Sequence, residues 1–454
     1  MFKRRNKPAT RIASICRDVI LLGMIGKSLF ATAALAFLAA NPAMARTAPS
    51  QTEPKSDSLT QQGAQAVAEF LHGKRTAEEV FSPGFLAVVP KSQLQALAAK
   101  LAEQFGPFDA VASVEEKNPN QGIVTLRYAK ATIAGPITID NGGKVTGLLL
   151  NDVKPLGDSV AKVQADLEAL PGKVSVLSAS LDGKQSSVLE IAPDQQLAIG
   201  STFKLYVLSA LAHSIERGEH RWDEVVNLTE KSLPSGQMQE WPAGAPVTLH
   251  TLASMMISIS DNTATDQLIR VLGRKAIGDE LRKSGHSTPD KTLPFLTTHE
   301  LFALKGNPAL GAQYAAADET GQEAILKRLD VQIKTDPASI PLPQYTEPHA
   351  IDTLEWFASA NDIAGIFRRI VALKDPTARQ ILAISPSMSA SDRARFAYVG
   401  YKGGSEPGVL NLSWLMQTKS GEWRVLTISW NDQSSPVDQG KLEMLATRLL
   451  KLSE

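Results

Sequence analysis

The segment Ala198-Ile199-Gly200-Ser201-Thr202-Phe203-Lys204-Leu205 sets a serine and a lysine three residues apart. On a helix this spacing stacks both side chains on one face, one turn apart. A helix beginning at Ser201 would hold the hydroxyl near the positive end of its macrodipole, where an alkoxide is favoured. Apolar flanks would depress the lysine pKa and make Lys204 a base for the serine proton. The pattern alone is weak, because Ser159-Val160-Ala161-Lys162 satisfies it too and reads as a solvated helix face.

Two later segments separate the pairs. The run Met255-Met256-Ile257-Ser258-Ile259 leads into Ser260-Asp261-Asn262, which suits a loop entering a cleft. Much later a β segment ends in Tyr401-Lys402-Gly403-Gly404-Ser405. There Gly404 and Ser405 let a substrate lie against the strand edge, and Lys402 supplies positive charge. Taken singly, Ser260-Asp261-Asn262 reads as a helix cap and Lys402-Gly403-Gly404 as a turn. In this order and in these contexts, the three read as one site.

These elements resemble the serine β-lactamase and penicillin-binding-protein superfamily, class A β-lactamases most closely, over about 175–454. The resemblance implies Ser201 as nucleophile, Lys204 as base, Ser260 as proton relay and Lys402 as the carboxylate-binding cation. It also implies that Asn262 holds the substrate amide and that the backbone N–H groups of Ser201 and Ser405 form the oxyanion hole. No cofactor and no metal belong to that scheme. Two departures stand out. Glycine replaces the hydroxyl residue of K-T-G in Lys402-Gly403-Gly404, and no E-x-x-L-N string separates the second and third elements. Glu347-Pro348-His349-Ala350-Ile351-Asp352 is the nearest imitation, but Asp352-Thr353 leads straight into an expected helix over 354–372, so Glu347 reads as an ordinary loop carboxylate. Efficient β-lactamase activity is therefore not expected. Lys402-Gly403-Gly404-Ser405-Glu406-Pro407-Gly408, behind a small first domain, is similar to a two-domain subgroup that includes the β-lactamase-like protein of clavulanate gene clusters. That likeness implies a cystatin- or steroid-isomerase-like first domain.

The elements that must position these residues are legible in outline. Helical spacing covers 64–71 and 92–105, and β-type segments follow at 108–115, 121–129, 132–139 and 144–150. Asp140-Asn141-Gly142-Gly143 marks a hairpin between the last two. Beyond 159–170, a helix ended by Pro171-Gly172, come β segments at 174–181 and 186–191 and a largely helical block over 201–330. A Pro-rich stretch over 331–348 and the 354–372 helix lead to strands at 396–402, 408–417 and 422–430 and a last helix at 438–452. The expected fold class is α+β: a three-layer α/β/α domain with an antiparallel sheet over 156–454, its terminal helices on one face, preceded by a small α+β domain over 61–155.

Length and composition agree with two domains: 454 residues, 43% hydrophobic and 21% charged, which excludes global disorder. Residues 1–45 hold seven basic side chains and one acidic one, which leaves about −6 for the rest of a formally neutral chain. That gives no footprint for nucleic acid. Ser28 to Ala40 is a 13-residue apolar run closed by Ala43-Met44-Ala45, a cleaved secretory signal with a linker over 46–60 behind it. The expected location is periplasmic or secreted, with no permanent membrane anchor and with Met24 as an alternative start to Met1. Cys16, the lone cysteine, falls inside the signal, so thiol chemistry and disulfides are excluded from the mature chain. His72, His213, His220, His250, His286, His299 and His349 form no metal-type spacing. The expected activity is an acyl-enzyme hydrolase on a small-molecule or peptidoglycan-derived substrate. The competing reading is a non-catalytic or slowly deacylating binder of cell-wall peptide or β-lactam ligands. Oligomeric state is not legible.

Overall fold

The computed structural model describes residues 58–183, 187–233, 235–336, 340 and 346–453. The expected signal, Cys16, Met24, most of the 46–60 linker and much of the Pro-rich 331–348 stretch lie outside the described residues. The described residues divide into two compact units that meet in sequence at Gly157 and Asp158.

In the first unit helices precede a sheet. α1 (Leu59–Leu71) is capped by the Ser58 side chain and turns Ala64, Val67 and Ala68 inward. The short α2 (Ala77–Val80) and α3 (Pro83–Val88) have no counterpart in the sequence reading, being too brief to show a period. α4 (Lys91–Phe105) ends at Gly106. Strands β1 (Phe108–Asn118), β2 (Gln121–Tyr128), β3 (Ala131–Ile139), β4 (Val145–Leu148) and β5 (Asp152–Pro155) then form one antiparallel sheet. The β3–β4 hairpin falls where expected, with Asp140 Oδ1 accepting from Gly142 N and Lys144 N at 2.9 Å each. In β2 and β3 alternation is strict, with Val124, Leu126, Tyr128, Ile133, Ile137 and Ile139 on the buried face.

The second unit opens with α5 (Val160–Glu168), β6 (Lys173–Ser180), β7 (Leu189–Ile191), the two-residue β8 (Leu197–Ala198) and α6 (Lys204–Glu216). A small ribbon of β9 (Val225–Asn227) and β10 (Pro246–Thr248) precedes α7 (Leu249–Ser258), α8 (Asn262–Leu272) and α9 (Arg274–Lys283). Next are α10 (Thr298–Gly306), α11 (Pro308–Ala316), α12 (Glu319–Thr335), β11 (Phe357–Ala358) and α13 (Ala360–Ala372). α14 (Thr377–Leu382) and α15 (Ala390–Arg393) lead into β12 (Phe396–Glu406), β13 (Val409–Thr418), β14 (Trp423–Asn431) and α16 (Gln439–Leu452).

The main sheet runs β12-β13-β14-β6-β7, antiparallel throughout, and puts β12 at an edge. α5 and α16, the first and last helices of the unit, cover one face around Leu167, Ile428, Leu445 and Leu449. The other face carries the helical block, with Leu205, Leu208, Phe367, Leu415 and Val425 in its core. This is the expected three-layer α+β arrangement. Covered on both faces, β13 and β14 are buried at nearly every position, and their buried polar residues Asn411, Ser413, Thr427 and Ser429 hydrogen-bond to one another between the apolar ones.

Two boundaries differ from expectation. The helix expected from 354 starts only at Ala360, because Phe357 and Ala358 pair with β8 and the Ser359–Asp362 capping box sets the start. β12 runs past 402 to Glu406, because Gly403 and Gly404 keep their ladder partners Leu412 and Asn411.

Candidate active site

Ser201 lies in a 3-10 turn, Gly200–Phe203, that runs directly into α6. The sheet clamps this turn from below. Asn431 receives Ala198 N on Oδ1 at 2.8 Å and donates Nδ2 to Ala198 O at 3.0 Å. Thr202 Oγ1 donates to Asn411 Oδ1 at 2.8 Å, and Phe203 stacks on Trp356 at 3.7 Å between centroids. The turn also presses against β12. A Cβ on Gly404 would lie 2.4 Å from Ser201 N, and one on Gly200 would lie 3.0 Å from Ser405 N. Gly200 moreover sits at φ +47°. Only glycines allow this approach, which brings the backbone amides of Ser201 and Ser405 to one spot.

Lys204 is the first residue of α6 and is fully buried. Its Nζ points at Ser260 O at 2.7 Å, Ser260 Oγ at 3.0 Å and Asn262 Oδ1 at 2.6 Å. Lys402, 3% exposed, reaches the same Ser260 hydroxyl at 3.1 Å and also donates to Gly403 O. Two lysines therefore converge on one oxygen. Burial first, then the Lys402 ammonium, pushes the Lys204 pKa far below its ordinary value, against an opposing pull from Asp266 and Asp261. Burial alone brings Lys402 down to about 7.

Ser260 adopts φ +59°, uncommon for a residue with a side chain, and such strain costs roughly 1–3 kcal/mol. Asp261 holds it there. As the N-cap of α8, Asp261 accepts Ala264 N at 2.8 Å on Oδ1 and, on Oδ2, Gln237 N at 2.6 Å and Met238 N at 2.8 Å. Asp261 is thus the helix cap, while Ser260 and Asn262 face Lys204. Asn262 is anchored by Nδ2 to Leu233 O at 3.1 Å, which aims Oδ1 at Lys204.

Ser201, Ser260, Asn262, Lys402, Gly404 and Ser405 line one cleft of about 570 Å³, with Lys204 buried beneath its floor. All seven candidates are thus brought together. A cavity of about 640 Å³ elsewhere in the unit, lined by Lys173, Gln196, Lys291 and Asp432, contains none of them. Glu347 is exposed and lies outside the cleft lining.

Some cleft residues were not picked out from the sequence. Ser235 lines the mouth and donates Oγ to Ser260 O at 2.7 Å, and Phe302 of α10 forms a wall. Tyr401 occupies the room freed at Gly403, where a Cβ would sit 2.2 Å from its hydroxyl oxygen. The i, i+2 relation of Tyr401 and Gly403 on a strand was the available signal, since it puts both on one face. Ser235 and Phe302 carry no such signal.

The family model described as the beta-lactamase enzyme family matches residues 158–411, more than half of the chain, and the chain belongs to that family. Among solved structures, a β-lactamase from Sphaerobacter thermophilus DSM 20745 is 20% identical, with 64% of this chain and 94% of that one covered and a TM-score of 0.45. A protein titled PBP-A is 15% identical over 65% of this chain and 94% of its own, at a TM-score of 0.44. A β-lactamase from Chitinophaga pinensis DSM 2588 is 16% identical over 64% and 96%, at 0.43. No curated protein matches the chain significantly.

Proposed function

We propose that the chain is a serine hydrolase that works through an acyl-enzyme on Ser201, with a β-lactam, ester or amide as acyl donor. The observation that carries this is the convergence of Lys204 and Lys402 on the Ser260 hydroxyl in the cleft that holds Ser201. Two ammonium groups across one oxygen in a dry site disfavour each other, so one lysine is neutral at working pH. Neutral Lys204 keeps two N–H donors and one lone pair. Ser260 O and Asn262 Oδ1 can only accept, so they take both hydrogens and the lone pair faces Ser260 Oγ. A base is thereby held ready without a carboxylate.

As Ser201 Oγ bonds to the acyl carbon, its proton passes by way of the Ser260 hydroxyl to the Lys204 lone pair, and the oxyanion rests on the amides of Ser201 and Ser405. Ser260 then protonates the leaving group and regains a proton from the Lys204 ammonium, which returns Lys204 to its neutral form. Lys402 binds a substrate carboxylate, and Asn262 orients an amide. The first domain, over 61–155, and the two-domain clavulanate-type subgroup belong to this same reading. So does export to the periplasm or beyond, through the signal over 1–45 or a start at Met24.

A second reading, a slowly deacylating binder, is favoured by one observation. Among the described residues lining the cleft there is no aspartate or glutamate to activate water. The test is intact-protein mass spectrometry of residues 46–454 with a fluorophosphonate and, separately, a penicillin. Adducts on wild type and not on Ser201→Ala support the acyl-enzyme. Decay of the penicillin adduct indicates turnover, and persistence indicates the binder. Absence of both adducts overturns the acyl-enzyme reading.

A further inference from the structure

The second unit buries another charged cluster that the acylation chemistry leaves unused. Lys305 of α10 is 2% exposed, and its Nζ donates to Glu355 Oε1 at 2.6 Å and to Glu406 Oε1. Glu355 is itself 4% exposed. One ammonium cannot neutralise two carboxylates, and an excess buried charge is strongly disfavoured. The cluster is neutral only if the acids hold one proton between them, and both carboxyl groups meet at the one Lys305 ammonium.

Each member adjoins a different part of the cleft. Glu406 directly follows Ser405 at the end of β12. Lys305 lies one helical position short of a turn beyond Phe302, in the α10 wall. Glu355 precedes Trp356, whose carbonyl accepts Ile199 N at 3.0 Å and whose ring stacks on Phe203, between Ser201 and Lys204. The cluster therefore ties together the segments whose alignment sets the Ser201 and Ser405 amides side by side.

We propose that Lys305, Glu355 and Glu406 form a proton-sharing clamp that holds the Ser405 end of β12 against the Ser201 turn and so positions the oxyanion-binding amides. The proposal rests on the acyl-enzyme reading. These are positioning residues, since none of them lines the cleft. Burial first, then the Glu355 carboxylate, pushes the Glu406 carboxyl up to about 9, so the clamp is intact at neutral pH. Above that value a second buried carboxylate appears and the strand end loses its hold. Other ionisable side chains belong to neighbouring segments. Lys402 lies on β12 itself, and Glu347, His349 and Asp352 belong to the segment whose Pro348 packs on Gly408. Stability has its own signature. The unfolded chain loses the Glu406 proton near 4.5 and the folded one near 9, so stability falls as pH rises between those values.

The experiment measures the rate of Ser201 labelling by a fluorophosphonate, together with thermal melting, from neutral to alkaline pH. Wild type, Glu406→Ala, Lys305→Met and the conservative Glu406→Gln are compared. Glu406→Ala and Lys305→Met are expected to slow labelling by about 10–100-fold at neutral pH. Glu406→Gln, which mimics the protonated acid, should recover most of that loss, abolish the alkaline limb near 9 and flatten the fall of melting temperature with pH. A limb near 9 that persists in Glu406→Gln overturns the proposal, as does wild-type labelling by folded Glu406→Ala. If the Ala and Met variants do not fold, the Glu406→Gln pH profile decides. Failure of wild type to label overturns the acyl-enzyme reading, and the melting profiles of wild type and Glu406→Gln then decide the shared proton separately.

Discussion

The chain contains the same tetrapeptide pattern twice, at the start of α5 and at the start of α6. At α5, Ser159 is an N-cap whose side chain accepts Lys162 N at 3.3 Å, and Lys162 is exposed. At α6, Ser201 lies in the 3-10 turn before the helix, and Lys204 is fully buried. α5 covers one face of the sheet and keeps its other side in water, so Lys162 stays exposed. α6 is enclosed by the sheet and the helical block, and there desolvation and Lys402 depress the lysine. Spacing supplies a serine and a lysine within four residues; burial is what lowers the pKa of the lysine.

The largest effect that separates the two sites is covalent labelling. Ser201→Ala is expected to abolish it while Ser159→Ala leaves it intact, and equal labelling of both variants by mass spectrometry would dissolve the distinction. Next in size, Lys204→Ala should slow acylation by about 10²–10⁴-fold, the usual worth of a positioned base, whereas Lys162→Ala should not change the rate. Gly404→Ala should cost about 10²–10³-fold in labelling rate by forcing β12 off the Ser201 amide, with circular dichroism showing a retained fold.

A smaller effect lies in the pH dependence of Lys402. Its folded pKa, about 7, is below the ordinary 10.5, so the unfolded chain binds more protons between those values. Stability from this group is present above 10.5 and is lost as pH falls through 7. Lys402→Met should therefore raise the melting temperature more at acidic than at alkaline pH, and a uniform shift would count against burial of the ammonium. Binding of an anionic ligand to wild type should weaken as pH rises through 7. Smallest is the cap: Ser159→Ala should lower stability by about 1 kcal/mol in denaturant titration.

Much of the site was legible because its chemistry lives in short strings. Ser201, Lys204, Ser260, Asn262 and Lys402 belong to local patterns, and their flanking apolar runs marked helix and strand correctly. Tyr401 was visible as a neighbour of Lys402, but its place over Gly403 depends on side-chain packing. The clamp was not legible at all: Lys305, Glu355 and Glu406 are separated by 50 residues and 101 along the chain from Lys305, with no shared string. The delayed start of α13 had the same origin, since residues 357–358 are claimed by pairing with β8 rather than by local propensity.

The amino-acid sequence by itself determined the alternation and periodicity that build the three layers, and it determined which residues can attack, accept a proton or carry charge. Tertiary structure decided which of two serine–lysine pairs is buried. It also put Lys402 across one hydroxyl from Lys204 and pressed Gly404 against the amide of Ser201. The reason is physical: residue type and spacing act over a few residues, whereas desolvation and charge coupling depend on what the rest of the chain brings within a few ångströms.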